Sequence, residues 1–315
     1  MNPLSALYGA GIALRNALFD RGVLPALRLE QAVVSVGNIS AGGAGKTPFV
    51  IALGELLKER GIVFDVLSRG YGRKTRGVLV VDPQGSASEY GDEPILIARK
   101  LGVPVVVGES RYDAGLAAKQ KFPQTRLHLL DDGFQHRSLA RDFDIVLMTA
   151  ADFEDRLLPA GRLREPLSSL RRADAIVLPP GDAVQHEGLR EKPVWRMTRE
   201  LVLSGMPPSP VVFCGLARPQ QFLDQVRAAG VAPSAEVVFR DHHAYDERDI
   251  QRLLAMRSEL GANGFLTTEK DLVNLGSLRT ALEPMAVAGL RLTIDRPVEL
   301  VDTILTRIAE RKPGS

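Results

Sequence analysis

A glycine-rich loop between a predicted strand and a predicted helix constrains this chain more than any other part of its sequence. Ala32-Val-Val-Ser-Val36 has the β-branched, apolar composition of a buried strand. Residues 48–60 repeat apolar side chains at helical spacing, and Gly61 ends the pattern. Between the two lies Ser40-Ala-Gly-Gly-Ala-Gly-Lys-Thr47. A strand, a glycine-rich turn that ends in Gly-Lys-Thr and a helix together predict a loop that binds a nucleotide triphosphate.

Each residue of this loop has a predicted task. Backbone N–H groups turned towards the phosphates come from Gly42, Gly43, Ala44 and Gly45. Lys46 reaches the β- and γ-phosphate oxygens, and the Thr47 hydroxyl binds Mg²⁺. The loop departs from the usual spacing at Ser40, where other phosphate loops have glycine. The strand–loop–helix context and the Gly-Lys-Thr core are intact, so ATP and Mg²⁺ are the predicted cofactors.

The rest of the chain predicts an α/β protein. Nearly all-apolar strands alternate with helical patterns, as in a P-loop NTPase-like parallel sheet with helices on both faces. Residues 204–210, Ser-Gly-Met-Pro-Pro-Ser-Pro, interrupt this alternation, and a second strand–helix series follows. We therefore predict a second, smaller α/β lobe and a hinge near residues 195–210. The predicted divisions are an N-terminal helix over 1–30, a P-loop kinase core over 31–205 and a C-terminal lobe over 206–315.

Composition excludes several classes of protein. The 315 residues include 45% apolar and 25% charged side chains, as in ordinary globular proteins, and the formal net charge is +2. A nucleic-acid-binding protein would carry a much stronger basic surface, so no nucleic-acid partner is expected. No obligate protein partner is evident either. Cys214 is the one cysteine, so an intrachain disulfide cannot form and a reducing compartment is expected.

Acidic residues follow another apolar strand. Leu127-His-Leu-Leu-Asp-Asp132 places Asp131 and Asp132 where a strand ends. Nucleotide-bound Mg²⁺ in phosphate-loop enzymes needs a carboxylate at such a position. Either aspartate can bind the metal directly or through water. The predicted metal-binding residues are therefore Thr47, Asp131 and Asp132.

Transfer of phosphate to a hydroxyl also needs a group that accepts the hydroxyl proton. A carboxylate paired with a histidine suits this task, and the natural candidates are Asp92 and His242. Asp92 opens a helix at Gly91-Asp-Glu-Pro94, whereas His242 follows a strand of the second lobe. Closure of the two lobes would bring them together and exclude water. Which of the two takes the proton stays open at this stage.

The polar motifs together resemble one family, the tetraacyldisaccharide 4′-kinases of Gram-negative bacteria. They occur in the order of that family and cover residues 36–271. They are Val36-Gly-Asn38, Gly42-Gly-Ala-Gly-Lys-Thr-Pro48, Leu67-Ser-Arg-Gly-Tyr71, Gly91-Asp-Glu-Pro94, Asp131-Asp-Gly-Phe-Gln-His136, Leu158-Pro-Ala-Gly161, Leu163-Arg-Glu-Pro166, Arg172-Ala-Asp174, Asp241-His242 and Thr267-Thr-Glu-Lys-Asp271.

This resemblance implies transfer of the γ-phosphate of ATP to the 4′-hydroxyl of a tetraacylated glucosamine disaccharide 1-phosphate, which yields the lipid A precursor lipid IVA. It implies Lys46, Asp92 and His242 as the catalytic residues, in a cleft between two lobes. It also implies a peripheral enzyme on the cytoplasmic face of the inner membrane. Further residues near the implied substrate cleft are Asn38, Arg69, Tyr71, Gln135, His136, Arg164, Glu165 and Asp241.

The N-terminal segment has two interpretations. Residues 1–14 carry no charged side chain, and arginines follow at Arg15, Arg21 and Arg28. One interpretation is a helix packed on the body of the protein. The other is a helix in a membrane interface, with its arginines near anionic headgroups. An acylated substrate stays in the membrane, so the family resemblance favours the interfacial helix.

Other functions remain as alternatives. A nucleotide-hydrolysing switch or a metal-insertion chaperone would explain the phosphate loop and Asp131, but not a pairing of Asp92 with His242. It predicts hydrolysis without a lipid acceptor. A kinase for a soluble metabolite predicts activity without detergent and no role for residues 1–27.

Overall fold

The computed structural model describes residues 3–43, 45–182, 189 and 191–311. The α-helices are α1 Pro3–Asp20, α2 Lys46–Glu59, α3 Ala87–Tyr90, α4 Asp92–Leu101, α5 Arg111–Lys121, α6 Ala150–Glu154, α7 Pro219–Ala228, α8 Glu247–Glu259, α9 Glu269–Leu275 and α10 Pro297–Arg311. The strands are β1 Ala32–Asn38, β2 Phe64–Ser68, β3 Leu79–Val80, β4 Val105–Val107, β5 Leu127–Asp131, β6 Phe143–Leu147, β7 Ala175–Leu178, β8 Val194–Val202, β9 Pro210–Cys214, β10 Ala235–Val238, β11 Gly264–Thr268 and β12 Met285–Ile294. The predicted alternation of strands and helices is therefore present in both halves of the chain.

Within the described residues, the strands form one sheet in the order β10-β9-β11-β12-β8-β7-β6-β1-β5-β2-β4-β3. The neighbours from β4 to β8 are parallel, and β3 adds an antiparallel edge. Strands β9 to β12 form a second parallel group. Apolar residues of α2, α4 and α10 pack on one face of the first group, and α5 packs on the other. The predicted α/β class, with helices on both faces and a second α/β lobe, is confirmed.

Strands β8 and β12 connect the two groups. Residues 194–196 of β8 pair with β7, and residues 285–288 of β12 pair with β11. The remaining parts, residues 197–202 and 289–294, pair with each other in antiparallel register. Each strand thus leaves its own group at its carboxyl end and meets the other strand running in the opposite direction. We call this antiparallel pair the β8–β12 ribbon. The carboxyl ends of both parallel groups consequently face each other across it. Open α/β sheets bind their ligands at the carboxyl ends of their strands.

The C-terminal helix returns to the first group of strands. Leu300, Val301 and Ile304 of α10 are fully buried in the same core as Phe49 of α2. The amphipathic pattern of α10 predicts a buried face but does not identify the surface that covers it. The boundary near residue 205 stays a prediction. The packing of α10 shows that residues 297–311 contribute to the core of the first lobe.

Helix α1 contacts the body of the protein along one side. Tyr8 Oη donates a hydrogen bond of 2.9 Å to the carbonyl of Arg164, and Asn16 is buried. On the opposite side, Leu7 is 73% exposed and Leu14 is 61% exposed. Among the described residues, no helix is both long enough and apolar enough to cross a bilayer. Helix α1 is therefore packed through one face and presents leucines to the exterior on the other.

Candidate active site

The phosphate loop joins β1 to α2 and opens into a cavity of about 1270 Å³. Gly45 precedes the first helical residue with φ 81° and ψ 32°, a left-handed conformation that favours glycine. Gly42 also has a positive φ, of 96°. Ala44, predicted as part of the loop, lies outside the described residues. The loop residues that line the cavity are Gly42, Gly43, Gly45, Lys46 and Thr47.

Two cations converge beside this loop. Lys46 Nζ donates a hydrogen bond of 3.2 Å to Asn38 Oδ1 and lies 3.5 Å from Asp132 Oδ1. The Arg164 guanidinium donates to both carboxylate oxygens of Asp132, at 2.9 and 3.1 Å, and also to Asn38 Oδ1. Burial raises the pKa of Asp132, but Lys46 and Arg164 outweigh it and hold the pKa at about 2. Asp132 is therefore a carboxylate shared by two cations, an arrangement suited to a nucleotide phosphate and its metal.

Asp131 lies beside this pair and is buried at the end of β5. Its Oδ2 accepts a hydrogen bond of 3.1 Å from Ser68 Oγ, while Oδ1 is buried with no hydrogen-bond partner among the described residues. Burial, followed by the charges of Glu93 and Asp132, raises the pKa of Asp131 to about 7. A bound cation would compensate both the orphaned oxygen and the crowding of negative charge. The residues present thus fit a divalent metal ion.

The donor set also fits Mg²⁺ in particular. No cluster of three or more His, Cys, Asp or Glu side chains in the described part of the chain could hold a metal by itself. Mg²⁺ does not require such a cluster, because it is usually bound by one or two carboxylates together with phosphate oxygens and water. Thr47, Asp131 and Asp132 all line the cavity at the phosphate loop.

The predicted partners Asp92 and His242 are in contact. Asp92 begins α4 and is 3% exposed, whereas His242 follows β10 with a left-handed φ of 55°. Nδ1 of His242 lies 2.8 Å from Oδ2 and 3.0 Å from Oδ1 of Asp92. Asn274 Nδ2 donates a further hydrogen bond of 3.0 Å to Oδ2 of Asp92. On the other side of the imidazole, Lys270 Nζ lies 3.2 Å from Nε2 and 3.0 Å from Asp241 Oδ1.

The electrostatics of this pair favour a charged carboxylate. Burial raises the pKa of Asp92, but the hydrogen bond from His242 and the charge of Lys270 outweigh it, so the pKa is lowered. Burial lowers the pKa of His242, but the hydrogen bond and charge of Asp92 outweigh that effect, so the pKa is raised. The pair is therefore a carboxylate and an imidazole of increased basicity, and it titrates as one coupled unit.

Most of the other predicted cleft residues face the same cavity. Its lining includes Arg69, Tyr71, Gln135, His136, Arg164, Asp241 and His242. The ring of Tyr71 lies 5.2 Å from that of His242, measured between centroids. Gln135 Nε2 donates a hydrogen bond of 2.9 Å to the carbonyl of Asn38. Burial and nearby arginines lower the pKa of His136 to about 4, so this imidazole is neutral at pH 7.

Glu165, also predicted near the cleft, lies outside the cavity lining. It is fully buried, and its Oε2 accepts hydrogen bonds from Arg172 at 2.6 Å and from Asn16 of α1 at 2.9 Å. The preceding residue, Arg164, faces the cavity. The contacts of Glu165 with Arg172 and Asn16 hold its carboxylate away from that cavity. The structure places Glu165 in the contact between α1 and the body.

Sequence reasoning assigned no role to several residues of the site. Lys270 contacts both His242 and Asp241, and its Nζ lies 3.8 Å from Glu93. Lys270 and Glu93 lie within the quoted motifs Thr267-Thr-Glu-Lys-Asp271 and Gly91-Asp-Glu-Pro94. Asn274 follows Lys270 by four residues, which places both side chains on one face of α9. The four-residue spacing from Lys270 is therefore the sequence feature that could have predicted Asn274 at the site.

These features define the class of protein. A parallel α/β sheet carries a phosphate loop with two cations, and His242 of the second lobe faces the same cavity while paired with Asp92 of the first. This is the arrangement of a two-lobed, ATP-dependent phosphotransferase.

Comparison with known proteins agrees with this class and specifies the family. The family model for tetraacyldisaccharide-1-P 4′-kinase, LpxK, matches residues 1–309. The tetraacyldisaccharide 4′-kinase of Koribacter versatilis is 48% identical and covers 100% of both chains. That of Aquifex aeolicus is 41% identical over 87% of this chain and 88% of its own. This chain belongs to the tetraacyldisaccharide-1-P 4′-kinase family.

A solved structure is also similar. The crystal structure of the apo form of LpxK from Aquifex aeolicus in complex with ATP superposes with a TM-score of 0.79. It is 37% identical in sequence, and the match covers 97% of each chain. The similarity therefore extends over both lobes and supports the predicted α/β fold.

Proposed function

We propose that this chain transfers the γ-phosphate of ATP to the 4′-hydroxyl of a tetraacylated glucosamine disaccharide 1-phosphate, forming the lipid A precursor lipid IVA. The observation that carries this proposal is the presence of the phosphate loop and the Asp92–His242 pair in one cleft. A nucleotide-hydrolysing switch would need the loop but has no use for the pair. Family membership supports the identity of the acceptor.

The donor site is built from the phosphate loop. Loop N–H groups and the N-terminus of α2 would bind the phosphates, and Lys46 would reach the β- and γ-phosphate oxygens. Thr47, Asp131 and Asp132 would hold Mg²⁺, which supplies charge neutralisation at the phosphates when bound. Beyond the loop, the cavity wall becomes aliphatic and suits a purine base. That wall includes Ile51, Ala52, Leu56, Leu290 and Leu292.

The Asp92–His242 pair would act on the acceptor. The acceptor oxygen forms a bond to the γ-phosphorus, the bond from that phosphorus to the ADP oxygen breaks, and the hydroxyl proton passes to the pair. Lys46 and Arg164 would stabilise the charge on the transferred phosphoryl group, as cations do in other phosphoryl-transfer enzymes. Lys270 and Asn274 would hold the pair in place through their contacts with His242 and Asp92.

The acceptor carries acyl chains, and α1 offers a surface for the membrane that contains it. Leu7 and Leu14 of α1 are 73% and 61% exposed, and Arg21, Val23 and Arg28, which follow the helix in the chain, are exposed as well. Exposed leucines flanked by arginines are typical of a helix that lies in a membrane interface. This pattern supports a peripheral position on the cytoplasmic face of the inner membrane. Closure of the second parallel group, β9 to β12 with α7 to α9, would then cover the bound substrates, while α10 stays in the core of the first lobe.

A transfer assay tests this proposal. Purified protein is incubated with MgATP labelled at the γ-phosphate and with detergent-dispersed tetraacyl disaccharide 1-phosphate, beside a Lys46→Ala variant. The expected result is label in the lipid with the unaltered chain and its loss with the variant. Label released only as free phosphate, with or without the lipid, would contradict the kinase proposal and favour a hydrolysing switch. Equal transfer to a soluble sugar without detergent would contradict the lipid acceptor.

A further inference from the structure

The strand that connects the two lobes carries an arginine that reaches the phosphate loop. Arg199 of β8 lies opposite Leu292 of β12, and both residues line the cavity. A β-carbon built on Gly45 would overlap an Nη atom of Arg199 and lie 2.5 Å from its Cζ. The guanidinium group therefore lies directly against the loop residue that precedes Lys46. A side chain at position 45 would require the guanidinium group to move away from the loop.

A second arginine faces the same part of the cavity. Arg218 immediately precedes α7 in the second lobe and also lines the cavity. Burial, followed by the charge of Arg218, lowers the pKa of Arg199. Two guanidinium groups that share a partly desolvated wall repel each other, and an anion bound between them relieves that repulsion. Phosphate matches the planar fork of donors that a guanidinium group presents.

We propose that Arg199, assisted by Arg218, binds the β-phosphate of the nucleotide. This inference rests on the proposed function, since it assigns residues of the connecting strand and the second lobe to the ATP site. In phosphate loops the backbone N–H groups bind the α- and β-phosphates, and the lysine extends to the β- and γ-phosphates. Arg199 contacts the loop one residue before Lys46, beside these N–H groups. It meets the diphosphate part of the nucleotide, which ATP and ADP share.

Arg199 lies in the part of β8 that pairs with the second parallel group, so its contact with the phosphate loop joins the two lobes. Residues 197–202 of β8 pair with β12, which belongs to the second parallel group. A diphosphate held by both Arg199 and the phosphate loop therefore attaches the connecting ribbon to the first lobe. Arg218 extends the same contact to α7. Nucleotide binding thereby favours the arrangement in which the two lobes face each other.

Nucleotide binding by the full chain tests the inference without the lipid. Arg199→Met removes the charge and keeps an unbranched side chain. Arg199→Lys retains the charge but loses the planar set of donors of the guanidinium group. Calorimetry measures the affinity for MgATP and MgADP, and competition against MgADP measures that for AMP. Arg199→Met is expected to weaken MgATP and MgADP binding alike by about 10- to 100-fold, as expected for a lost charge-assisted contact. Arg199→Lys should give a smaller loss, and AMP binding should change by less than about twofold because AMP lacks the β-phosphate.

Matched variants decide between the outcomes. Arg252→Met removes an exposed arginine of α8 that does not line the cavity and should leave all affinities unchanged. MgATP and MgADP affinities of Arg199→Met within about twofold of the unaltered chain would overturn the inference. An equal loss for AMP would also overturn it, since the residue would then act on the α-phosphate or the base and not on the β-phosphate. If Arg199→Met does not fold, Arg199→Lys and Arg218→Gln carry the same test. Failure of the unaltered chain to bind MgATP would instead contradict the proposed function.

Discussion

Nδ1 of His242 lies 2.8 Å from Oδ2 of Asp92, although 150 residues separate the two in the chain. Asp92 begins a helix of the first lobe, and His242 follows the outermost strand of the second. They meet because the β8–β12 ribbon turns the carboxyl ends of both parallel groups towards each other. The pair therefore exists only in this relative arrangement of the lobes, and any motion that separates the lobes would disassemble it.

Substitutions in this pair should lower turnover and leave nucleotide binding intact. We expect Asp92→Asn to lower kcat by about 10²- to 10⁴-fold, the contribution typical of a positioned proton acceptor. His242→Gln should lower kcat too, and the double variant should be no worse than Asp92→Asn because the two act as a unit. Steady-state kinetics with labelled ATP measures kcat, and calorimetry measures the affinity for MgATP.

The neighbouring histidine offers a matched control for these variants. His243 Nε2 lies 2.7 Å from Asp249 Oδ2, so it is also bound to a carboxylate, but it does not line the cavity. His243→Gln should keep kcat within about threefold of the unaltered chain, since it removes no group near the acceptor. Near-normal turnover of both Asp92→Asn and His242→Gln would contradict the assignment of the pair as the proton acceptor.

The rate should depend on pH through the same pair. The hydrogen bond and charge of Asp92 raise the pKa of His242 above its ordinary value of 6.5. Below the raised pKa the imidazole already carries a proton, so the pair cannot accept another. We therefore expect kcat to rise with pH, with a midpoint above 6.5.

Asp92→Asn should move this midpoint to lower pH, because burial and the charge of Lys270 lower the pKa of His242 once the carboxylate is gone. The pH profile of kcat for both chains measures the shift. The same midpoint in the two profiles would mean that another group controls the rate. A midpoint that moves to higher pH would contradict the predicted sign.

Glycine is expected to be required at position 37, next to Asp131 and Asp132, the proposed metal-binding residues. A β-carbon built there would lie 2.6 Å from Cβ and 2.8 Å from the backbone N of Phe134. Backbone cannot move aside cheaply, so Gly37→Ala should lower the free energy of unfolding by about 2 kcal/mol or more. Urea unfolding measures it.

A glycine with open space provides the comparison for Gly37. Gly11 lies in α1 with no atom within 4 Å of a built β-carbon. Gly11→Ala should stabilise α1 by about 0.5–1 kcal/mol, because alanine has the higher helix propensity. An unfolding free energy of Gly37→Ala equal to that of the unaltered chain would show that the Phe134 segment can move without cost.

The exposed leucines of α1 should control binding to membranes. Burial of one leucine side chain contributes about 1.5–3 kcal/mol, so Leu7→Glu combined with Leu14→Glu should weaken partitioning into vesicles by at least about 100-fold. Co-sedimentation with vesicles of phosphatidylethanolamine and phosphatidylglycerol measures this. MgATP affinity should not change, because neither leucine lines the cavity.

An exposed leucine of another helix serves as the control. Leu116 of α5 is 45% exposed, and Leu116→Glu should retain vesicle binding. Equal binding by the Leu7 and Leu14 double variant would contradict the interfacial role of α1. Equal losses in both variants would indicate unspecific adhesion of the whole surface.

Local patterns in the sequence predicted much of this protein. The phosphate loop, the alternation of strands and helices, and the position of Asp131 at the end of β5 each depend on a few consecutive residues. Such patterns reflect steric and hydrogen-bonding preferences that act within the segment itself. The pairing of Asp92 with His242 was predicted from their residue types and their places in the two lobes, and the two side chains are in contact. The catalytic role of the pair stays a prediction.

Contacts between distant segments could be decided only by the tertiary structure. Lys270 beside His242, Arg199 against Gly45 and α10 in the core of the first lobe all join residues far apart in the chain. The orientation of Glu165 away from the cleft depends on the course of the backbone next to Arg164. The sequence alone determined which groups are available for phosphate transfer. The arrangement of the two lobes around the β8–β12 ribbon decided which of them meet, because hydrophobic burial is non-directional and the register of strands selects one packing among many.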